Sequence, residues 1–228
     1  MNKKKLRTKD IVNGAFTYIG LILIAILCAG PFIWLLLSSL RTGANIYDLH
    51  FRLADFTFSN YIGVIQYMNL GKYVNNTVII TVGGILIDVI LSSMCAYPLA
   101  TMNFKGKKVI FGLLVATMII PAAAGMIINY LTIAKLKLLN TLLGVILPGS
   151  VKTFSIILMR QAYLGVPKEL IEAARIDGAS EFRIWWKIML PSIMPSVSTI
   201  IIFDFIGNWN AFLWPSIVLQ DPNKYPLE

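Results

Sequence analysis

From Ile11 to Leu40 the chain carries no Asp, Glu, Lys or Arg. An uninterrupted apolar run of that length exceeds the roughly 20 helical residues that cross a hydrocarbon core of about 30 Å, so its natural solvent is lipid. The lysine-rich start (Lys3, Lys4, Lys5, Arg7, Lys9) has the look of a signal peptide's charged end. The run is too long for the apolar part of such a peptide and lacks a convincing small-residue cleavage site, which predicts an uncleaved membrane helix near residues 16–40. Hydrophobic residues make up 57% of the chain, charged ones 14%, and mean hydropathy is +0.73, values that exclude a soluble globular domain.

Further spans are expected near 74–100, interrupted only by Asp88, and near 109–133, which has no charge. Two more are expected near 139–163, with Pro148 and Lys152 inside, and near 193–214, with Asp204 inside. The net charge of +9 raises the question of nucleic acid, but the cations fall in the breaks between apolar runs rather than on one water-facing surface. They report topology instead. A basic tail over residues 1–14, the loop carrying Lys105, Lys107 and Lys108, and the segment carrying Arg160, Lys168, Arg175, Arg183 and Lys187 are expected to be cytoplasmic, with the N-terminus inside. Five spans then leave the C-terminus outside, and the odd count implies that a sixth is missing.

The segment over residues 164–192 has its own pattern. Pro167 suits a first helical position, Lys168 to Ile176 reads as a short helix, and Gly178 suits the left-handed residue that ends one. Ser180 suits an N-cap for a second helix, in which Phe182, Trp185, Trp186 and Met189 recur at helical spacing. Periodicity alone identifies a surface helix and not its partner; an ordinary amphipathic interfacial loop fits as well.

No enzymatic constellation accompanies this pattern. Residues 144–150 approach a phosphate-binding loop, but no Lys follows Gly149. Cys28 and Cys95 lie in apolar runs without nearby Cys or His, so neither a disulfide framework nor a metal site is expected, and His50 reads as an external surface residue. Asp88, Lys152 and Asp204 each cost about 2.5–3.5 kcal/mol at a lipid-facing helix centre. They are therefore expected to face the bundle or water, either lining a path or making polar contacts between subunits. Asn208, Trp209 and Asn210 combine aromatic faces with amides, a pairing suited to sugars and equally to an interfacial aromatic belt.

Glu172-Ala173-Ala174, Gly178 six residues after the Glu, Ile188, and Leu190-Pro191 resemble the EAA signature of permease subunits of bacterial ABC importers. The flanks resemble the sugar-importer permeases of the maltose-transporter type: Phe56-Thr57-Phe58-Ser59-Asn60-Tyr61, Phe104-Lys105-Gly106-Lys107, Asn140-Thr141 with Gly144 and Leu147-Pro148, Gly165 to Leu170, and Trp209 to Pro215. The resemblance implies an all-α polytopic membrane protein with the fold of a type I ABC importer transmembrane domain, in the bacterial cytoplasmic membrane. It implies a second permease subunit, a cytoplasmic ABC ATPase dimer that holds ATP and Mg, and an extracytoplasmic sugar-binding protein, with no cofactor or nucleic acid on this chain. Glu172, Ala173, Ala174, Arg175, Asp177 and Gly178 would then form the ATPase-coupling surface, while Asp88, Lys152, Asp204, Asn208, Trp209 and Asn210 are candidates for the substrate path. The rival expectation is an ATP-independent secondary transporter or channel that uses Asp88 and Asp204.

Overall fold

The computed structural model describes residues 8–41 and 56–227, and among them all regular structure is helical apart from one isolated bridge between Arg41 and Phe56. Residues 1–7 of the expected basic tail and His50 lie outside the described residues. The chain forms two compact units, one ending at Asn69 and the other running from Leu70.

The first unit is built on α1 (Thr8–Ser39), which begins before the expected Phe16 and contains Pro31. Its side chains from Thr17 onward are largely exposed and apolar on every side, the pattern of a helix that meets lipid or other helices all round. Helix ends leave carbonyls without partners, and here Asn60 supplies them: its side-chain amide donates to Ser39 O at 2.9 Å and Arg41 O at 2.8 Å. Tyr61 adds a hydroxyl contact to Ser39 Oγ at 2.6 Å as α2 (Ser59–Tyr67) begins. Asn60 and Tyr61 of the Phe56–Tyr61 motif thus fold the chain back on the end of α1.

The second unit is organised around α3 (Leu70–Thr101), whose 32 residues span about 48 Å at 1.5 Å per residue. Its buried positions include Thr77, Thr81, Gly84, Asp88 and Ser92, a stripe of small and polar side chains at one-turn spacing. In lipid there is little hydrophobic drive between helices, so such residues collect where backbones approach and hydrogen bonds form. The stretch 109–133 is two helices, α4 (Lys107–Thr117) and α5 (Ala122–Lys135), rather than one. Pro121 explains the break: it cannot donate to the preceding turn and it biases Ile120 away from helical geometry. The stretch 139–163 is likewise divided into α6 (Leu142–Ile146), a 3-10 turn at Leu147–Gly149, and α7 (Thr153–Leu164), with a 51° bend.

Beyond α7 come α8 (Lys168–Ile176), α9 (Glu181–Ile184), a π-helical turn at Trp185–Met189, and α10 (Leu190–Ser192). A 79° bend at Ile193 leads into α11 (Met194–Trp209), and α12 (Leu213–Val218) follows. α3 packs chiefly on α7 and α11. Two described helical segments, Thr17–Ser39 and Leu70–Thr101, are each long and apolar enough to cross a membrane, and up to four spans result if each bent pair counts as one.

The motif residues near Asn140 hold the end of the bundle opposite α8. Asn140 has φ +56°, and its side-chain oxygen accepts from the backbone N–H groups of Gln220 and Asp221 at 3.1 Å. Thr141 caps α6 by accepting from Gly144 N. Gly144 has no room for a side chain, because an added Cβ would drive into the Leu138 carbonyl oxygen. Gly144→Ala is therefore expected to destabilise the protein by about 1–3 kcal/mol, the range for overpacking, measured by thermal unfolding in detergent; an unchanged transition would show that the turn relaxes freely.

Candidate coupling loop and translocation cavity

α8 is a two-faced helix. Ile171 and Ala174 are buried against the bundle, while Glu172, Ala173, Arg175 and Asp177 are exposed. Pro167 is the N-cap, extended at ψ 132°, one position earlier than the expected first helical residue. The C-terminus closes as a Schellman motif, with Ala179 N donating to Ala174 O and Gly178 N to Arg175 O, both at 3.0 Å, and Gly178 at φ +78°. Of the two signature alanines only Ala173 is on the outer surface; Ala174 serves the loop's own packing. Ile176 is 85% exposed at the tip.

Glu181, a residue not singled out from sequence, joins this loop to α3. One carboxylate oxygen accepts from Arg175 Nε at 2.7 Å and the other from Tyr97 Oη at 2.6 Å. Arg175, and after it Tyr97, hold the Glu181 carboxyl below the usual carboxylate range. A depressed folded value means that the contribution is present above the unfolded pKa and is lost as pH falls through the lowered one, so the fork is intact at neutral pH. Ser180 caps α9 by accepting from Arg183 N at 3.3 Å. Trp185 and Met189 of the π turn that follows are buried, while Phe182 of α9 and Trp186 are exposed, so only half of the expected helical stripe packs inward. Trp185 Nε1 donates to Ser93 Oγ at 2.8 Å, and Ser93 Oγ lies 2.6 Å from Tyr163 Oη.

Cations gather beside the loop at the C-terminal end of α3. Lys107 Nζ donates to Ala100 O and Met102 O, and Arg160 Nε donates to Leu99 O while its guanidinium lies 4.1 Å above the Phe111 ring. Positive groups at a helix C-terminus satisfy its open carbonyls and its dipole. Burial, and then repulsion from Arg160 and Lys168, push the Lys107 ammonium below its ordinary value. A polar cavity of about 250 Å³ opens between this end of α3 and α8, lined in part by Asn103, Lys168, Glu172 and Arg175.

Asp88, Lys152 and Asp204 meet in the middle of the bundle. Asp88 is fully buried and accepts from Ser92 Oγ at 2.6 Å, Lys152 N at 2.9 Å and Ser155 Oγ at 2.5 Å. It thereby ties α3 to the N-terminal turn of α7. Lys152 Nζ contacts Asp204 Oδ1 at 2.6 Å, joining the start of α7 to α11. Asp204 is 2% exposed and the Lys152 side chain 35% exposed, so of the three only the lysine presents appreciable open surface.

The larger cavity, about 300 Å³, lies further along α3 and is lined by Ile80, Gly84, Asn129, Asn208 and Trp214 among others. Asn208 approaches so closely that a Cβ on Gly84 would sit 2.7 Å from its amide nitrogen. Trp209 stacks on Phe205 with centroids 5.2 Å apart, and the Asn210 amide donates back to Ile206 O at 2.8 Å. Among Asp88, Lys152, Asp204, Asn208, Trp209 and Asn210, only Asn208 lines this cavity. Asn129 and Trp214 join it there. Among the described residues no cluster of three His, Cys, Asp or Glu side chains is arranged to hold a metal.

Residues 88–227 match the family described as binding-protein-dependent transport system inner membrane component. The arabinooligosaccharides transport system permease protein AraQ of Halalkalibacterium halodurans is 35% identical over 98% of this chain and 81% of its own. The diacetylchitobiose uptake system permease protein NgcG of Streptomyces coelicolor is 32% identical over 93% of this chain and 72% of its own. A bacterial ABC transporter that imports the acidic polysaccharide alginate has a chain that superposes with a TM-score of 0.87 at 28% identity, covering 99% of this chain and 80% of that one.

Proposed function

Because this chain belongs to the binding-protein-dependent transport system inner membrane component family and is a permease subunit of an ATP-driven sugar importer, we propose that residues 168–178 form the surface on which a separate cytoplasmic ATPase seats. The chain is a transport subunit and not itself an enzyme. The observation that carries the docking reading is the division of α8: Ile171 and Ala174 fix its inner face, while Glu172, Ala173, Ile176 and Asp177 are turned out. ATP and Mg are then held by the ATPase, and a second permease subunit and an extracytoplasmic sugar-binding protein complete the assembly. Fully buried Asp88 and nearly buried Asp204, each engaged in bonds that join helices, give no support to the rival ion-carrying role.

The names of the relatives and the lining of the cavity support a reading of the substrate class. AraQ and NgcG are named for arabinooligosaccharides and diacetylchitobiose, and we infer an oligosaccharide cargo here. Asn129 and Asn208 offer amides beside the Trp214 ring, a combination that hydrogen-bonds hydroxyls while covering an apolar sugar face. The test is uptake of labelled oligosaccharides and monosaccharides by cells with and without this gene. Loss confined to oligosaccharides supports the assignment; loss confined to monosaccharides overturns it.

Orientation is part of the same proposal. The basic cluster around Lys107, Arg160 and Lys168 and the docking face of α8 share one end of α3, while Lys72 and Asn223 pair at the other. With Cys28 and Cys95 replaced, a cysteine at Lys107 or Arg175 is expected to be shielded from impermeant thiol reagents in intact cells and one at Lys224 to be labelled. The reverse labelling pattern would put the loop in the compartment without ATP.

A further inference from the structure

We propose that two hydrogen-bonded rungs, Ser93 to Trp185 and Tyr97 to Glu181, transmit movement of the coupling loop to α3, making Trp185 and Glu181 positioning residues for transport. The proposal rests on the docking role of α8. Ser93 and Tyr97 lie one turn apart on the same face of α3, and Glu181 and Trp185 lie four residues apart on the segment that packs antiparallel to it. Each rung is forked. Glu181 holds Arg175 of α8 with one oxygen and Tyr97 with the other, while Ser93 meets both Trp185 and Tyr163 of α7. A displacement of α8 therefore acts on α3 directly through Glu181, and on α3 and α7 together through Trp185.

Apolar packing alone gives a different mechanical result. Ile171, Ala174, Met189 and Leu190 bury the loop against the bundle, but burial of this kind is non-directional. The rungs are directional, and the buried Ser93–Trp185 rung lies in an environment of low dielectric, where its geometry is held more firmly than in water, while the Glu181 side chain is 44% exposed and carries its rung as a charge-assisted bond. They fix the register between the loop and α3. The far half of α3 carries Ile80 and Gly84 into the larger cavity, so an α3 locked to the loop carries the loop's displacement to the cavity wall.

The test uses the assembled transporter, with Cys28 and Cys95 replaced and Ile80→Cys as a reporter on the cavity wall. Addition of ATP and Mg is expected to change the maleimide labelling rate at position 80 by at least about fivefold, the low end of coupling between linked sites. In the Tyr97→Phe/Glu181→Gln variant, copurification of the ATPase is expected to persist, since the apolar packing remains, while the ATP response falls below about twofold. Each single variant is expected to lose most of the ATP response by itself, because either change breaks the same bond. A full ATP response in the double variant overturns the proposal, as does loss of the ATPase from that variant, or no ATP response in the parent. Glu172→Lys separates the two readings: if it retains the ATPase, the docking surface is wrong, whatever the rungs do.

Discussion

Lys152→Met is expected to destabilise the protein by about 3 kcal/mol, enough to deplete assembled transporter from membranes. Asp204 is 2% exposed, and its Oδ2 has no hydrogen-bond partner already. Lys152 Nζ supplies Oδ1 at 2.6 Å, so its removal leaves the buried carboxylate without a donor at either oxygen among the described residues. Breaking one half of a buried pair typically costs about 3–5 kcal/mol because the other charge stays behind, and the part-exposed lysine puts this pair at the low end. Replacing both partners removes that stranded charge. Lys152→Met/Asp204→Leu is therefore expected to regain most of the loss, as read by the unfolding temperature of detergent-solubilised complex. Equal instability in the single and double variants would show that the pair matters for packing rather than charge.

Glu172→Lys is expected to abolish ATPase copurification and sugar uptake while the permease still inserts. Glu172 is exposed on the outer face of α8, beside Ala173 and Ile176, so reversal of its charge changes the proposed docking surface without disturbing the buried Ile171 and Ala174. Truncation of a central charged contact commonly costs about 2–5 kcal/mol at an interface, and reversal adds repulsion. Gly178→Val should act by another route. Its φ of +78° costs a β-branched residue about 1–2 kcal/mol, and the Schellman bonds that end α8 would be distorted, tilting the same face away from its partner. Normal uptake and undiminished ATPase in both variants would remove the docking role.

What the sequence made legible was local. Lys168–Ile176 forms the expected helix, Gly178 is left-handed and Ser180 caps α9, because each depends on residues within one or two turns. The link through Glu181 was not legible, since its partner Tyr97 is 84 residues away and nothing in either neighbourhood marks the pair. Asp88 raised the same difficulty. An acid in an apolar run signals an inward-facing polar site, but not whether it faces a path or a helix end, and here it bonds the start of α7. The division of 109–133 did carry a local signal in Pro121, which hydropathy masks because Met118, Ile119 and Ile120 are as apolar as the helices they separate. Ala174 shows the limit of reading a motif as a surface: the same signature supplies both an outer residue and an inner one.

The most direct test of the account is chemical capture at the outer face of α8. A transporter with Cys28 and Cys95 replaced and Ala173→Cys introduced would be treated in native membranes with a short heterobifunctional thiol-to-amine crosslinker. An adduct between this chain and a soluble ATPase, identified by mass spectrometry, is expected, and it is absent when the cysteine is placed instead at exposed, apolar Ile128. An active, intact transporter in which position 173 yields no ATPase adduct, while another segment of this chain does, would contradict it.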